Sequence, residues 1–486
     1  MTRDELLKLI SEHKDKPIEL ANVRLSGEDL KGLNLKGVRI RNSDLSGTDL
    51  SNVILDSADL SFCVMKETKL IGASLKGVNL QGVNLIKSDA RNTNFSGANL
   101  QEANLSLSTL EYANLSGCLL TRATLTDING KEATFDNAKA AGAKFNKALL
   151  YRASFVNANL EASDLSECDL RGADLSGATL KGANIQKALL TGASLRKVFM
   201  PSTNLRGLNL SGLDLSEAVI TSAQLNSINL SDANLRGANL EGSQFDYAQL
   251  SGAILNYAKL DNAILTGATL ERANISHASC VNTNFSRTNM KGVILNRVIA
   301  TKAIFKEANL SGATMTGSNF AFSDFTSANL TNADIRDSEM EGVSLHNAIL
   351  TQTRLSPKTM KSVCPWCGYQ QDAKELCEKC GKPMVIPEPV TKKLYYLILL
   401  PVMSIIAGPL VFVVTGAHYM MNGLIPFWVF YPMYQAGILL SLLLLLTSVV
   451  ILIMFKRNPL NEGEGYPKSA LVLCITNLLM YAVILI

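Results

Sequence analysis

The residues best placed to do chemistry are four cysteines in the last third of the chain. Cys364-Pro365-Trp366-Cys367-Gly368 is followed by Cys377-Glu378-Lys379-Cys380-Gly381, with nine residues between Cys367 and Cys377. Two C-x-x-C-G knuckles at this separation place four thiolates where they can surround one Zn²⁺ tetrahedrally, and the glycine after each pair lets the backbone turn back on itself. A redox dithiol pair or an iron site would use the same sulfurs. With Cys364, Cys367, Cys377 and Cys380 all as ligands, no coordination position remains for an activated water, so the expected metal is structural zinc. A segment of this size cannot bury a core, so metal binding would supply its folding energy. No Ser–His–Asp set, Walker loop or dinucleotide fingerprint is evident, and no catalytic or cofactor-binding residue and no small-molecule substrate is assigned.

What must position these groups is a chain built mostly of repeats. From Leu20 to Leu355 every fifth residue is Leu, Ile, Met or Phe except at Ala90, Gly130, Ala140, Cys280 and Ala300. The residue two places earlier is usually small, and an Asn or Asp often stands between, as in Ala98-Asn99-Leu100 and Ala173-Asp174-Leu175. Of 25 glycines before residue 356, 24 fall two places after the large apolar residue. A period of five fits neither helix nor plain strand. Small and large residues two apart read as the inward positions of a short extended side, and the next two residues as a corner where glycine tolerates unusual dihedrals.

This pattern resembles the A(D/N)LXX signature of the pentapeptide-repeat family, over about residues 18–355. The resemblance implies an all-β fold, a right-handed quadrilateral β-helix with four repeats per coil. That gives about 17 coils and a rod of roughly 80 Å at a strand spacing of about 4.8 Å. Residues twenty apart would then stack, with Phe285, Phe305 and Phe325 as an internal ladder. Faults are expected at Gly130, Ala140 and Pro201 as a bulge or a slightly collapsed coil. Thr2-Arg3-Asp4-Glu5 reads as a capping box opening a helix at about 3–13, whose Leu6, Leu7 and Ile10 cover the first coil. Cys63, Cys118, Cys168 and Cys280 fall at inward positions and read as buried thiols. His277 is near Cys280 in sequence but reads as a surface residue.

The domains expected are a capping helix at 1–17, the pentapeptide-repeat β-helix at 18–355, a segment at 356–390 that looks like a short zinc ribbon with its linker, and a transmembrane region at 391–486. Apolar stretches at 394–414, 427–455 and 470–486 contain no Asp, Glu, Lys or Arg, and each is long enough to span about 30 Å of hydrocarbon as a helix. Lys392, Lys393, Lys456, Arg457 and Lys468 flank them, so the positive-inside rule places solenoid and ribbon in the cytoplasm of a multi-pass cell-membrane protein. The absence of charge within the stretches argues for an anchor over an ion path.

Charge bears on partners. The chain has 46 Lys and Arg and 42 Asp and Glu; residues 391–486 hold five and two, residues 356–390 five and four, leaving 36 of each sign in 1–355. A balanced rod neither attracts phosphate at long range nor imitates DNA. The expected function is a membrane-anchored scaffold, without catalytic activity, that docks protein partners on its solenoid faces. The lipid bilayer is the second expected partner, and nucleic acid is not expected. The alternatives are a DNA-mimicking, topoisomerase-protecting protein, as some family members are, and an accessory subunit of a membrane enzyme or transporter.

Overall fold

The large apolar residue of each repeat turns inward and its backbone N–H reaches the next turn of the chain. Leu25 N–H donates to Asp44 O at 2.7 Å, and Asp44 N–H donates back to Val23 O at 2.9 Å. In the computed structural model, which describes residues 1–12, 18–356, 364, 376, 377 and 379–382, this pattern repeats every five residues. It begins with the parallel pair β1 (Glu19–Ala21) and β2 (Arg39–Arg41), in register Glu19 to Arg39. It continues as single parallel bridges from Arg24–Asp44 to Asp334–Arg354. Every bridge joins residues twenty apart, so a coil has four five-residue sides, and the repeat reading holds.

The Asn or Asp beside the inward residue has a local task. Its side-chain oxygen accepts the N–H two residues on, as Asp44 does from Ser46 at 3.0 Å and Asn329 from Thr331 at 3.1 Å, which closes the corner as an Asx turn. In three repeats an arginine adds a clasp. Arg171 donates from Nε to one oxygen of Asp169 at 2.8 Å and from Nη2 to the other at 2.7 Å, and Arg91–Asp89 and Arg336–Asp334 do the same. The Arg171 hydrogen bonds hold the Asp169 carboxyl below its usual range. A carboxyl depressed in the folded state stabilises fully above its unfolded value of about 3.9 and loses that contribution as pH falls through its folded value. Urea unfolding at pH 6 and pH 3 is therefore expected to show a smaller acid loss in Asp169→Asn than in the wild type; an equal loss would mean that this pair contributes nothing.

The corner itself is left-handed at every repeat. Each second corner residue from Asn22 to Gln352 has φ between +49° and +78°. Glycine is therefore favoured there but not required: Asn, Ser, Glu, Arg and Tyr adopt the same conformation, each against a steric cost of about 1–2 kcal/mol. The compensation is a ladder hydrogen bond from that residue's N–H, as from Tyr257 to Ser276 O at 3.1 Å. At Gly82, Gly267 and Gly342 glycine has a second reason. The rings of Phe62, Tyr247 and Phe322, one coil earlier, lie where a Cβ would sit, at 2.6, 2.8 and 2.5 Å.

Each of the five positions lacking a large side chain is followed five residues later by a phenylalanine: Ala90 by Phe95, Gly130 by Phe135, Ala140 by Phe145, Cys280 by Phe285 and Ala300 by Phe305. All five phenylalanines are fully buried. Phe135 and Phe155 stack at 4.7 Å with Phe145 edge-on at 5.7 and 5.8 Å, and Leu150 closes over Gly130. The bulge expected at Gly130 and Ala140 is absent: the bridges Asn129–Leu149 and Lys139–Asn159 are intact. The ladder Phe285–Phe305–Phe325 is present, with centroids 5.0 and 4.5 Å apart and rings nearly parallel. Pro201 occupies the first corner position, whose N–H the interstrand ladder does not use, but the fault expected there coincides with a real break: Gly182 N–H makes no bond to Pro201 O, and the bridge Asn184–Asn204 is missing.

At the N-terminus, α1 (Arg3–Glu12) is opened by the expected capping box: Thr2 N–H donates to Glu5 Oε2 at 2.8 Å and Glu5 N–H to Thr2 Oγ1 at 3.3 Å. Leu6 is fully buried and Met1 and Ile10 pack on the core, while Leu7 lies on the exposed side of the helix rather than in the apolar stripe. Arg3 N–H to Glu28 Oε2 at 3.0 Å ties the helix to the first coil. Among the described residues no helix is long and apolar enough to cross a membrane; the stretches 394–414, 427–455 and 470–486 lie outside the described residues.

Candidate functional site

The four buried thiols of the repeat region are structural. Cys63, Cys118 and Cys168 donate to carbonyls of the preceding coil, Ile40, Phe95 and Phe145, at 3.0, 3.0 and 2.9 Å, a task that Thr48 and Ser88 perform elsewhere with their hydroxyls. Burial pushes Cys63 up to about 11, Cys118 and Cys168 to about 12, and Cys280 upward as well. A thiol held protonated is a poor nucleophile and a poor ligand.

The sulfurs singled out by spacing behave differently. The Sγ atoms of Cys364, Cys377 and Cys380 lie within 4.8 Å of one another, with Cys364 and Cys380 at 3.7 Å. A tetrahedral site with metal–sulfur bonds of about 2.3 Å has sulfur–sulfur edges of about 3.8 Å. The turn that sets the second knuckle closes through Gly381 N–H to Cys377 O and Cys377 N–H to Lys382 O, both at 2.8 Å, with Gly381 at φ +69°. Cys364 and Cys377 are buried. Three of the four expected ligands are thus brought together in a set able to hold a soft divalent metal. The fourth, Cys367, lies outside the described residues, as does most of 356–390.

A second cluster was not anticipated. His277 and Cys280 part company: Cys280 enters the core, while His277 sits on an outer corner and stacks on Tyr257, one coil earlier, at 4.9 Å and 12°. The Arg236 guanidinium lies over the other part of this column, 5.4 Å from the Tyr257 centroid. Gly237 stands on the same corner between Glu217 and Tyr257. The surface there is a shallow, open notch lined by Arg196, Ser216, Glu217, Asn234, Arg236, Gly237 and Tyr257. Glu217 is held by Arg196 at 3.7 Å and Lys197 at 3.4 Å, and Arg236 makes no ion pair among the described residues. An exposed ring with an uncompensated guanidinium beside it can receive a carboxylate or another anionic group. The signal was present in the sequence as the twenty-residue interval from Tyr257 to His277, the interval that also gave the phenylalanine ladder but was applied there only to inward positions.

The family model described as pentapeptide repeats matches residues 18–56, then 58–292 in overlapping blocks, and 303–342. Among solved structures the chain is similar to HetL, a pentapeptide repeat protein involved in heterocyst differentiation regulation from the cyanobacterium Nostoc sp. strain PCC 7120. The two are 20% identical over 76% of this chain and 100% of that one, with a TM-score of 0.16. It is also similar to QnrB1, a plasmid-mediated fluoroquinolone resistance protein, at 20% identity over 47% and 89% with a TM-score of 0.24. A third is a pentapeptide repeat protein from the Arabidopsis thaliana thylakoid lumen, at 28% identity over 28% and 70% with a TM-score of 0.10. No curated protein matches the chain.

Proposed function

The chain belongs to the pentapeptide-repeat family, and from that premise we propose that it is a membrane-held scaffold that docks a protein partner on its repeat domain. The observation that carries this reading is the corner formed by Arg236, Tyr257 and His277. Exposed tyrosine and arginine are the residues that most often dominate protein interfaces, and here they are already stacked, so little side-chain freedom is lost on docking. The partner's complementary feature is a carboxylate placed to meet Arg236. Three converging cysteines, with Cys367 as fourth ligand, support a structural zinc in 356–390. The uncharged apolar stretches of 391–486 and their basic flanks support anchoring in the cell membrane with the solenoid and zinc ribbon on the cytoplasmic side.

Topoisomerase protection by DNA mimicry would need a strongly acidic rod, and the 36 acids of residues 1–355 are matched by 36 bases. A scaffold working as the accessory subunit of a membrane enzyme or transporter differs only in what it docks.

The reading is tested in cells by placing a photo-crosslinking amino acid at position 257 and, as control, at position 87 on another corner. The expected result is one discrete adduct from 257 alone, recovered in alkali-washed membranes and lost when Arg236→Glu is added. Equal crosslinking from both positions would overturn docking at this corner, and recovery of the adduct from the soluble fraction would overturn the anchor.

A further inference from the structure

The hydrogen-bonded ladder is continuous on all four sides of the stack except at one boundary. Among the described residues from 24 to 354, the bridges between residues twenty apart are missing only for Asn184 with Asn204 and Leu189 with Asn209, which are neighbouring sides of the same boundary. One coil earlier, the N–H groups of Ala162, Leu165, Glu167, Leu170 and Gly172 donate to the following coil at 2.7–3.0 Å. Their counterparts Gly182, Ile185, Lys187, Leu190 and Gly192 make no such bond, and the N–H groups of Asn204, Asn209 and Asp214 do not reach back. On either flank the ladder closes again, with Leu180 N–H to Phe199 O at 2.7 Å and Leu195 N–H to Asp214 O at 2.8 Å. The Gln186 side chain takes over one lost contact, donating from Nε2 to Asn204 O at 2.9 Å.

The opening runs from the corner that holds Pro201 to a pair of side chains larger than usual for their places. The small inward position is leucine at only three repeats, Leu33, Leu208 and Leu213. Leu33 lies in the first complete coil. Leu208 and Leu213 are consecutive and stand directly over Ala188 and Ala193 of the preceding coil. A leucine has three more carbons than the alanine usual there, and a close-packed interior answers added volume by moving backbone. Single isoleucines at 128 and 228 leave the ladder intact. Along the opening the core is less well covered: Leu208 is 7% and Ala183 6% exposed, and Ala188 is only partly buried, where most of the core is at 0–1%.

We propose that this boundary is a hinge set by Leu208 and Leu213. The rod bends there by opening and closing the sides that carry Asn184 and Leu189. It pivots on the corner held by Leu195 to Asp214, Lys197 N–H to Ser216 O at 2.9 Å and the Lys197–Glu217 ion pair at 3.4 Å. A coil boundary that lacks most of its backbone bonds on two sides is where a one-dimensional stack is weakest, so bending concentrates there. The pivot adjoins the notch at Glu217, so the hinge sets the angle between the Tyr257 corner and the N-terminal half of the rod.

The test uses the full chain with spin labels attached through ketone-bearing amino acids at positions 187 and 227, which straddle the boundary on the open side. The control pair, 147 and 187, spans the same number of coils through intact ladder. The expected distance distribution for 187–227 is about twice as broad as for 147–187, and it narrows to the control width in Leu208→Ala/Leu213→Ala. Leu208→Ala alone serves if the double variant does not fold, with partial narrowing expected. Equal widths in the wild type, or a broad distribution unchanged by the alanines, would overturn the hinge.

Discussion

Replacing Phe305 by alanine is expected to cost about 3–5 kcal/mol, the usual penalty for emptying a buried phenylalanine site. Phe305 is fully buried, stacks between Phe285 and Phe325, and meets Phe320 edge-on at 5.9 Å. It follows Ala300, the small centre of the preceding repeat. The pairing of each small centre with a following phenylalanine makes a sharper expectation. Ala300→Leu alone overpacks the coil and costs about 1–3 kcal/mol, and Phe305→Leu alone leaves a cavity. Made together they conserve volume, so the double variant should be more stable than the sum of the two by about 0.5–3 kcal/mol. Native-state hydrogen exchange of the neighbouring coils reads both effects, since contacts in a stack run only between neighbours. Strict additivity would mean that the association of small centres with phenylalanine has no energetic basis.

The second large effect lies in the thiolate cluster. The full chain is expected to carry one zinc, and Cys377→Ser to carry close to none, because zinc-ribbon-sized segments gain about 10–16 kcal/mol from the metal and lose their fold without it. Metal analysis after dialysis reads the stoichiometry. Zinc should also be released on acidification, since each thiolate must lose a proton to bind. Full zinc retention in Cys377→Ser and in Cys364→Ser would remove these residues from the ligand set. Oxidation and reduction of the pairs without any bound metal would favour a dithiol instead.

The legible part of the molecule was whatever depends on one side chain at a time. A leucine that must leave water, an alanine that must fit beside it and an Asn that closes its own corner act within five residues, so the extended sides, the corners and the inward thiols could be read directly, while four sides to a coil came only from the family resemblance. The stacking of Phe285, Phe305 and Phe325 followed from one further step, the twenty-residue coil. The small centres at Gly130 and Ala140 were misread as faults because each position was judged alone, while Leu150, one coil later, closes over Gly130; the fault expected at Pro201 does coincide with the break in the ladder. The left-handed corners at Tyr257 or His277 gave no sign, since a ladder hydrogen bond offsets a preference that propensity alone would enforce. The convergence of Cys364, Cys377 and Cys380 followed from knuckle spacing.

The sequence by itself determined the repeat, its inward and outward faces and the candidate thiolate ligands, because burial and metal preference are properties of residue types at fixed intervals. Only the tertiary structure decided where coils fit one another badly and which surface residues meet. The opening beneath Leu208 and Leu213 and the Arg236–Tyr257–His277 column both arise between residues about twenty apart, where packing volume and stacking geometry act on pairs of coils rather than on a single repeat.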